Sequence, residues 1–184
     1  PIGVAKHFEF WGFDLALIHE LAWGEERTIF DSWKVVCTPS RHFAGRLAKR
    51  NVSLWASYVL KSNNQSIYIG GDSGYGPHFE DIGKQHGPFD LAILECGQYN
   101  EMWPNIHLTP EMTLQAAKDL KSTHLLAVHW GKYRLALHDW DEPIKRLEAA
   151  WTSQDPILLK PYMGQSFYLD TAFTETHWVN HIKS

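Results

Sequence analysis

The sequence between residues 67 and 74 reads Ile67-Tyr68-Ile69-Gly70-Gly71-Asp72-Ser73-Gly74. The apolar residues predict a strand, and the glycines that follow allow a sharp turn and close approach of other groups. This stretch therefore predicts a strand that places a carboxylate, Asp72, just beyond its carboxyl end. A turn without a function is the alternative, because Asp and Gly are common turn residues.

Two histidines follow other predicted strands in the same way. His42 comes after the β-rich run 32–38, and His129 comes directly after the apolar run 124–128. Strand ends often carry functional residues, because loops there project side chains from a rigid scaffold. Two imidazoles and the carboxylate of Asp72 form a ligand set that suits zinc, iron or manganese. Ordinary core or surface histidines are the alternative interpretation.

The pattern of elements changes near residue 70. The first part predicts a meander of short strands, and the second part alternates helices with buried strands. Thr109 and Pro110 are a good N-cap and a good first helical residue. The order predicts an α+β fold with a mostly antiparallel sheet and helices on one face. Strands are predicted at 18–23, 27–30, 32–38, 53–61, 66–69, 89–95, 124–129, 157–160 and 165–169, and the main helices at 77–86, 110–121 and 142–152.

Composition narrows the functional classes. The chain has 184 residues, 44% of them hydrophobic, which is enough for one domain with a core. The net charge of -4 argues against a nucleic-acid partner. Two cysteines are too few for a disulfide framework and favour a reducing, cytoplasmic location. No apolar run reaches the roughly 20 residues that span a bilayer.

Six ordered motifs resemble one branch of the metallo-β-lactamase-fold hydrolases. That branch contains the N-acylphosphatidylethanolamine-hydrolysing phospholipase D and its bacterial relatives. The resemblance implies the C-terminal half of an αββα sandwich. The motifs are Thr38-Pro39-Ser40-Arg41-His42-Phe43, Ser53-Leu54-Trp55-Ala56-Ser57, Ile69-Gly70-Gly71-Asp72-Ser73-Gly74-Tyr75, Phe79-Glu80-Asp81-Ile82-Gly83, Gly87-Pro88-Phe89-Asp90-Leu91-Ala92 and Ala127-Val128-His129-Trp130-Gly131.

The resemblance assigns roles to four residues. It implies that His42 binds one metal ion, that His129 binds a second, and that Asp72 bridges both. It also implies that His107 lines the substrate pocket, although a loop histidine without ligand contact is the alternative. Asp72 and His107 are therefore the expected catalytic residues. Five nearby residues are expected either to form an apolar wall of the pocket or to belong to the core: Tyr99, Met102, Trp103, Tyr133 and Leu135.

One family motif is absent. The related enzymes carry His-x-His-x-Asp-His upstream, and no two histidines of this chain are separated by a single residue. We therefore expect residues 1–184 to form a single domain that is the C-terminal half of the fold. Its apolar face would then need the missing N-terminal half or a second copy of the chain to cover it.

The resemblance implies a metal-dependent hydrolase in the full-length protein. Two divalent metals, zinc or else manganese or iron, would activate a shared water. The expected substrate is a small-molecule or lipid phosphodiester, which would also fit a position at a membrane surface. A lactone, as in the ascorbate-6-phosphate lactonase, is the alternative. An inert half-domain that needs a partner is the second hypothesis. We expect this fragment alone to be inactive and to hold metal weakly, because half a ligand set binds weakly.

Overall fold

A computed structural model describes residues 1–30, 32–46, 49–170 and 178–181. Among them, no helix is both long and apolar enough to cross a membrane. Short 3-10 helices lie at Leu15–Leu17 and Trp178–His181. The α-helices are α1 (Ala5–Phe10), α2 (His78–Gln85), α3 (Pro110–Asp119) and α4 (Glu142–Ala150). The strands are β1 (Glu26–Ile29), β2 (Trp33–Thr38), β3 (Gly45–Arg46), β4 (Lys49–Arg50), β5 (Ser57–Lys61), β6 (Ser66–Ile69), β7 (Phe89–Glu95), β8 (Ser122–Val128) and β9 (Ile157–Leu159).

Seven strands form one mixed sheet in the order β1-β2-β5-β6-β7-β8-β9, and β3 pairs with β4 separately. The first three pairings of the large sheet are antiparallel, and the last three are parallel. With β3–β4 included, antiparallel pairings are the majority in the described residues, as predicted. Antiparallel pairings outnumber parallel ones only narrowly. Helices α2, α3 and α4 each connect two neighbouring strands as a crossover, and strands joined in this way run parallel.

Helices α2, α3 and α4 cover one face of the sheet, which confirms the predicted layer. Helix α3 packs against α2 and α4, and it also contacts β7 and β8. Alternate strand residues face these helices and form the core with them. That core includes Val59, Tyr68, Ala92, Leu94, Leu125, Phe79, Leu114, Ile144 and Leu147.

The opposite face of the sheet is apolar and only partly covered. Leu60 lies opposite Ile67, and Ile69 lies beside Ile93, which in turn neighbours Leu126. These five side chains are half-buried rather than buried. The expectation that further protein covers this face stays a prediction.

Two predicted strands are wrong. Residues 18–23 form no strand, because the chain begins to pair with β2 only where Gly24 N–H donates to the carbonyl of Cys37 at 2.8 Å. Residues 165–169 also form no strand. There the backbone N–H of Gln165 donates to the carbonyl of Tyr162 at 2.8 Å, so the chain closes a local turn instead of a ladder.

Candidate metal centre

Four strands of the large sheet end at the same edge. β2 and β6 both pair antiparallel with β5 and so run in the same direction, and β7 and β8 run parallel to β6. His42, Asp72 and His129 follow β2, β6 and β8, and Glu95 is the last residue of β7. The topology therefore brings these four side chains to one edge of the sheet.

The loops that carry His42 and Asp72 are fastened to each other. The backbone N–H of Arg41 donates to Oγ of Ser73 at 2.9 Å, and the N–H of Gly74 donates to the carbonyl of Arg41 at 2.8 Å. Each bond joins a residue next to His42 with a residue near Asp72. Together they fix the distance between the two loops.

His42 has the orientation of a metal ligand. Its Nδ1 lies 2.8 Å from the carbonyl oxygen of Phe43, which a ring N–H can reach as a donor. Its Nε2 is buried and has no hydrogen-bond partner among the described residues. A metal-binding imidazole usually donates one ring N–H to such an acceptor and presents the other nitrogen to the ion. The residues present therefore fit a divalent cation.

Asp72 lies among three histidines. One ligand atom each from His42, Asp72 and His107 lie within 4.8 Å of one another. Nε2 of His129 is 3.8 Å from Oδ1 of Asp72, and both side chains are more than a third exposed. The structure thus brings all three predicted ligands, and the predicted pocket residue His107, into one cluster.

The backbone that presents His129 is strained. Its φ is +64°, in the left-handed region that non-glycine residues seldom occupy. Such strain costs on the order of 1–3 kcal/mol and is often found at functional sites. Gly97 permits this conformation, since a Cβ there would lie 2.3 Å from the carbonyl oxygen of His129.

His107 stands between the two outer histidines. Its ring centroid is 5.3 Å from that of His42 and 5.4 Å from that of His129. Burial lowers the pKa of His107, and the nearby charge of Asp72 opposes that shift. The side chain can therefore serve as a neutral hydrogen-bonding group next to the carboxylate.

Glu95 is a buried member of the cluster that the sequence prediction missed. Its Oε1 and Oε2 lie 3.0 and 2.9 Å from Nδ1 of His107. Burial raises the pKa of Glu95, and backbone N–H donors of Ser73 and Leu108 partly offset that shift. The available signal was a carboxylate at the end of an apolar strand, the same pattern that singled out Asp72.

Clefts flank the cluster on two sides. A cleft of about 680 Å³ lies beside His107 and is lined in part by Tyr99 and Met102. A cleft of about 830 Å³ lies beside His129 and is lined in part by Tyr133 and Leu135. Of the five predicted wall residues, these four line a cleft, although Tyr99 itself is buried. Trp103 is half-buried, and its Nε1–H donates to the carbonyl of Gln98.

The comparisons with known proteins agree on one family. A family profile described as "Beta-lactamase superfamily domain" matches residues 2–130. An uncharacterized protein of Mycobacterium tuberculosis is 44% identical over 168 residues, which are 90% of this chain and 45% of that protein. The mitochondrial N-acyl-phosphatidylethanolamine-hydrolyzing phospholipase D of Saccharomyces cerevisiae is 32% identical over 181 residues, or 92% of this chain and 38% of that protein.

Solved structures agree on the fold. The isothiocyanate hydrolase from Delia radicum gut bacteria superposes with a TM-score of 0.64 at 18% identity, over 84% of this chain and 61% of that chain. At this identity the likeness shows the fold alone. The chain spans less than half the length of the mycobacterial and yeast relatives.

Proposed function

Because this chain belongs to the β-lactamase superfamily, we propose that the full-length protein is a metal-dependent hydrolase that acts on a phosphodiester. The observation that carries the proposal is the position of the Asp72 carboxylate. It lies within 4.8 Å of ligand atoms of His42 and His107, and 3.8 Å from Nε2 of His129. A carboxylate between imidazoles supplies part of the donor set that a pair of divalent cations requires.

In this proposal His42 would hold one divalent cation, His129 would hold the other, and Asp72 would contribute its carboxylate to both. Nitrogen and oxygen donors of this kind favour zinc, with manganese or iron as alternatives. Bound divalent cations lower the pKa of water and polarise the substrate oxygen. The chain's own residues supply the geometry, because the bonds from Arg41 to Ser73 and Gly74 hold the first two ligands together.

His107 is proposed to contact the substrate rather than a cation. It is 9% exposed, and it also lines the cleft that contains Tyr99 and Met102. A substrate group in that cleft would meet an imidazole on one side and apolar surface on the other. This arrangement suits an ester whose non-reacting part is apolar.

The phosphodiester is supported by the yeast relative, whose name states that it hydrolyses N-acyl-phosphatidylethanolamine. A lipid phosphodiester would also place the protein at a membrane surface, and a water-soluble one would fit a cytoplasmic location. The lactone stays the alternative substrate, because the same donor set can activate water against an acyl carbon. The partly covered apolar face favours a partner, either a longer stretch of the same protein or a second copy, in any of these cases.

Asp72→Asn in the full-length protein tests the proposal. An amide offers one neutral oxygen where the carboxylate offers two charged ones, so metal should be lost. If the pKa of the attacking water rises from about 7 to about 9, the available hydroxide at pH 7 falls by about fifty-fold. We expect at least that loss in turnover.

The assays are bound metal by elemental analysis and hydrolysis rates on a chromogenic phosphodiester and a lactone. Asp139→Asn is the matched control, because the Asp139 side chain is 80% exposed and pairs with Arg134 at 3.6 Å. Unchanged metal content and turnover in Asp72→Asn would end the proposal. If the lactone were hydrolysed faster than the phosphodiester, the proposed substrate would change to a lactone and the proposed metal centre would stand.

A further inference from the structure

Three nitrogen atoms converge on the buried carboxyl group of Glu95, two from backbone N–H groups and one from the ring of His107. The backbone N–H groups of Ser73 and Leu108 donate to Oε1 at 3.0 and 3.2 Å. Nδ1 of His107 approaches both oxygens from the third side. The carboxyl group is 1% exposed, so these protein groups supply its polar contacts within the described residues. The two backbone N–H groups make Oε1 an acceptor, and Nδ1 of His107 is the contact of Oε2.

The His107 contact is nearly symmetric. Nδ1 lies 3.0 Å from Oε1 and 2.9 Å from Oε2. One N–H shared between two acceptor oxygens has this geometry, whereas a carboxylic O–H donating to the ring nitrogen would favour one oxygen. The hydrogen bonds from the backbone N–H groups of Ser73 and Leu108 favour the ionised form of Glu95, against the effect of burial on its pKa. With Glu95 ionised, the shared proton lies on Nδ1 of His107.

We infer that Glu95 is a positioning residue that holds His107 in its Nδ1–H tautomer and so leaves Nε2 as the acceptor nitrogen of the ring. The hydrogen bond from Nδ1 fixes both the ring orientation and the identity of the protonated nitrogen. An acceptor nitrogen can receive a hydrogen bond from an O–H group in the cleft that His107 lines. The catalytic consequence of this inference rests on the proposed hydrolase function, but the tautomer does not.

Glu95→Gln tests the inference with little change in shape. The amide oxygen can keep the two backbone N–H donors, which leaves the NH₂ group facing His107. An NH₂ donor there requires an unprotonated Nδ1, so the proton moves to Nε2. Exchange of a carboxylate for an amide beside an imidazole reverses the tautomer in this way.

The readout is ¹⁵N NMR of histidine side chains in the metal-loaded full-length protein. In the unsubstituted protein we expect a protonated Nδ1 and an unprotonated Nε2 for His107, and in Glu95→Gln the reverse. His124, whose Nδ1 lies 2.8 Å from the carbonyl of Asp90, is the control and should keep its signals. A protonated Nε2 in the unsubstituted protein would overturn the inference, even if Glu95→Gln failed to fold.

Kinetics separates positioning from a merely structural role. Glu95→Gln should lower kcat by about ten- to a hundred-fold, a typical effect of groups that orient reacting side chains, with KM changed by less than about two-fold. In a His107→Ala background the same substitution should lower kcat no further. An equal loss in both backgrounds would contradict the inference. Absence of hydrolysis by the unsubstituted protein would refute the proposed function and leave the tautomer result intact.

Discussion

Gly97→Ala is expected to damage the candidate centre without touching any proposed ligand. A Cβ at residue 97 would lie 2.3 Å from the carbonyl oxygen of His129 and 3.2 Å from Cβ of Trp130. Real Cβ contacts are essentially never shorter than 3.0 Å, so the His129 carbonyl must move by at least 0.7 Å. The φ of Gly97 is not in the left-handed region, so alanine meets no backbone penalty of its own.

The displaced group is the peptide that aims the His129 side chain. His129 already has a strained φ of +64°, so its backbone cannot absorb the shift freely. Metal ligands tolerate deviations of only about 0.2 Å. A shift approaching 1 Å at a reacting centre costs on the order of a hundred-fold in rate. Extra volume in a packed region also costs about 1–3 kcal/mol of stability.

We therefore expect Gly97→Ala to lose bound metal, about a hundred-fold in turnover, and about 1–3 kcal/mol in the free energy of unfolding. Urea denaturation, elemental analysis and phosphodiester hydrolysis measure these quantities. Gly70→Ala is the comparison variant: its nearest obstacle is a side-chain methyl of Leu94 at 2.9 Å, so it should also cost stability but should not displace the His129 carbonyl. Equal stability and turnover in Gly97→Ala and the unsubstituted protein would refute the reasoning.

The remaining predictions concern two histidines. His107→Ala should keep its bound metal and lose roughly ten- to a hundred-fold in kcat/KM, with His124→Ala as control; metal loss would instead make His107 a ligand. Burial, and then the charge of Arg41, lowers the pKa of His78 from 6.5 to about 4. Between these values the unfolded chain binds a proton that the folded chain excludes, so this residue makes the free energy of unfolding fall as pH drops through that window. Urea denaturation from pH 8 to pH 4 should show a shallower fall in His78→Gln, and parallel curves for the two proteins would contradict the prediction.

Elements with strong local signals were predicted correctly from the sequence. Helix α3 begins as its capping residues indicate, since Oγ1 of Thr109 accepts the N–H of Met112 at 3.3 Å and Pro110 is the first helical residue. Strands β5 and β6 lie within the predicted ranges 53–61 and 66–69, and they pair with each other. Residues 18–23 have the apolar composition of a strand, but strand formation also needs a partner with free N–H and carbonyl groups. That requirement is not local, and the sequence pattern does not contain it.

The candidate site could be predicted only in part, because some of its contacts are likewise not local in the sequence. Side chains after strands are visible as polar residues that interrupt apolar runs, and His42, Asp72 and His129 were found in this way. His107 lies in the loop before α3 and came only from the family resemblance. The inferred role of Glu95 depends in part on contacts with the N–H groups of Ser73 and Leu108, which are 22 and 13 residues away along the chain. The carboxylate at a strand end is visible in the sequence, but these contacts between distant residues are not.

The change of strand direction at β6 has a consequence for folding. β6 pairs antiparallel with β5 on one side and parallel with β7 on the other, so Asp72 lies where the two halves of the sheet meet. His42 comes from the antiparallel half, and Glu95, His107 and His129 come from the parallel half. A partly folded chain with only one half formed would therefore bind cations poorly. Cation binding would then stabilise the native state relative to such intermediates, and amide hydrogen exchange should slow in both halves together when zinc is added.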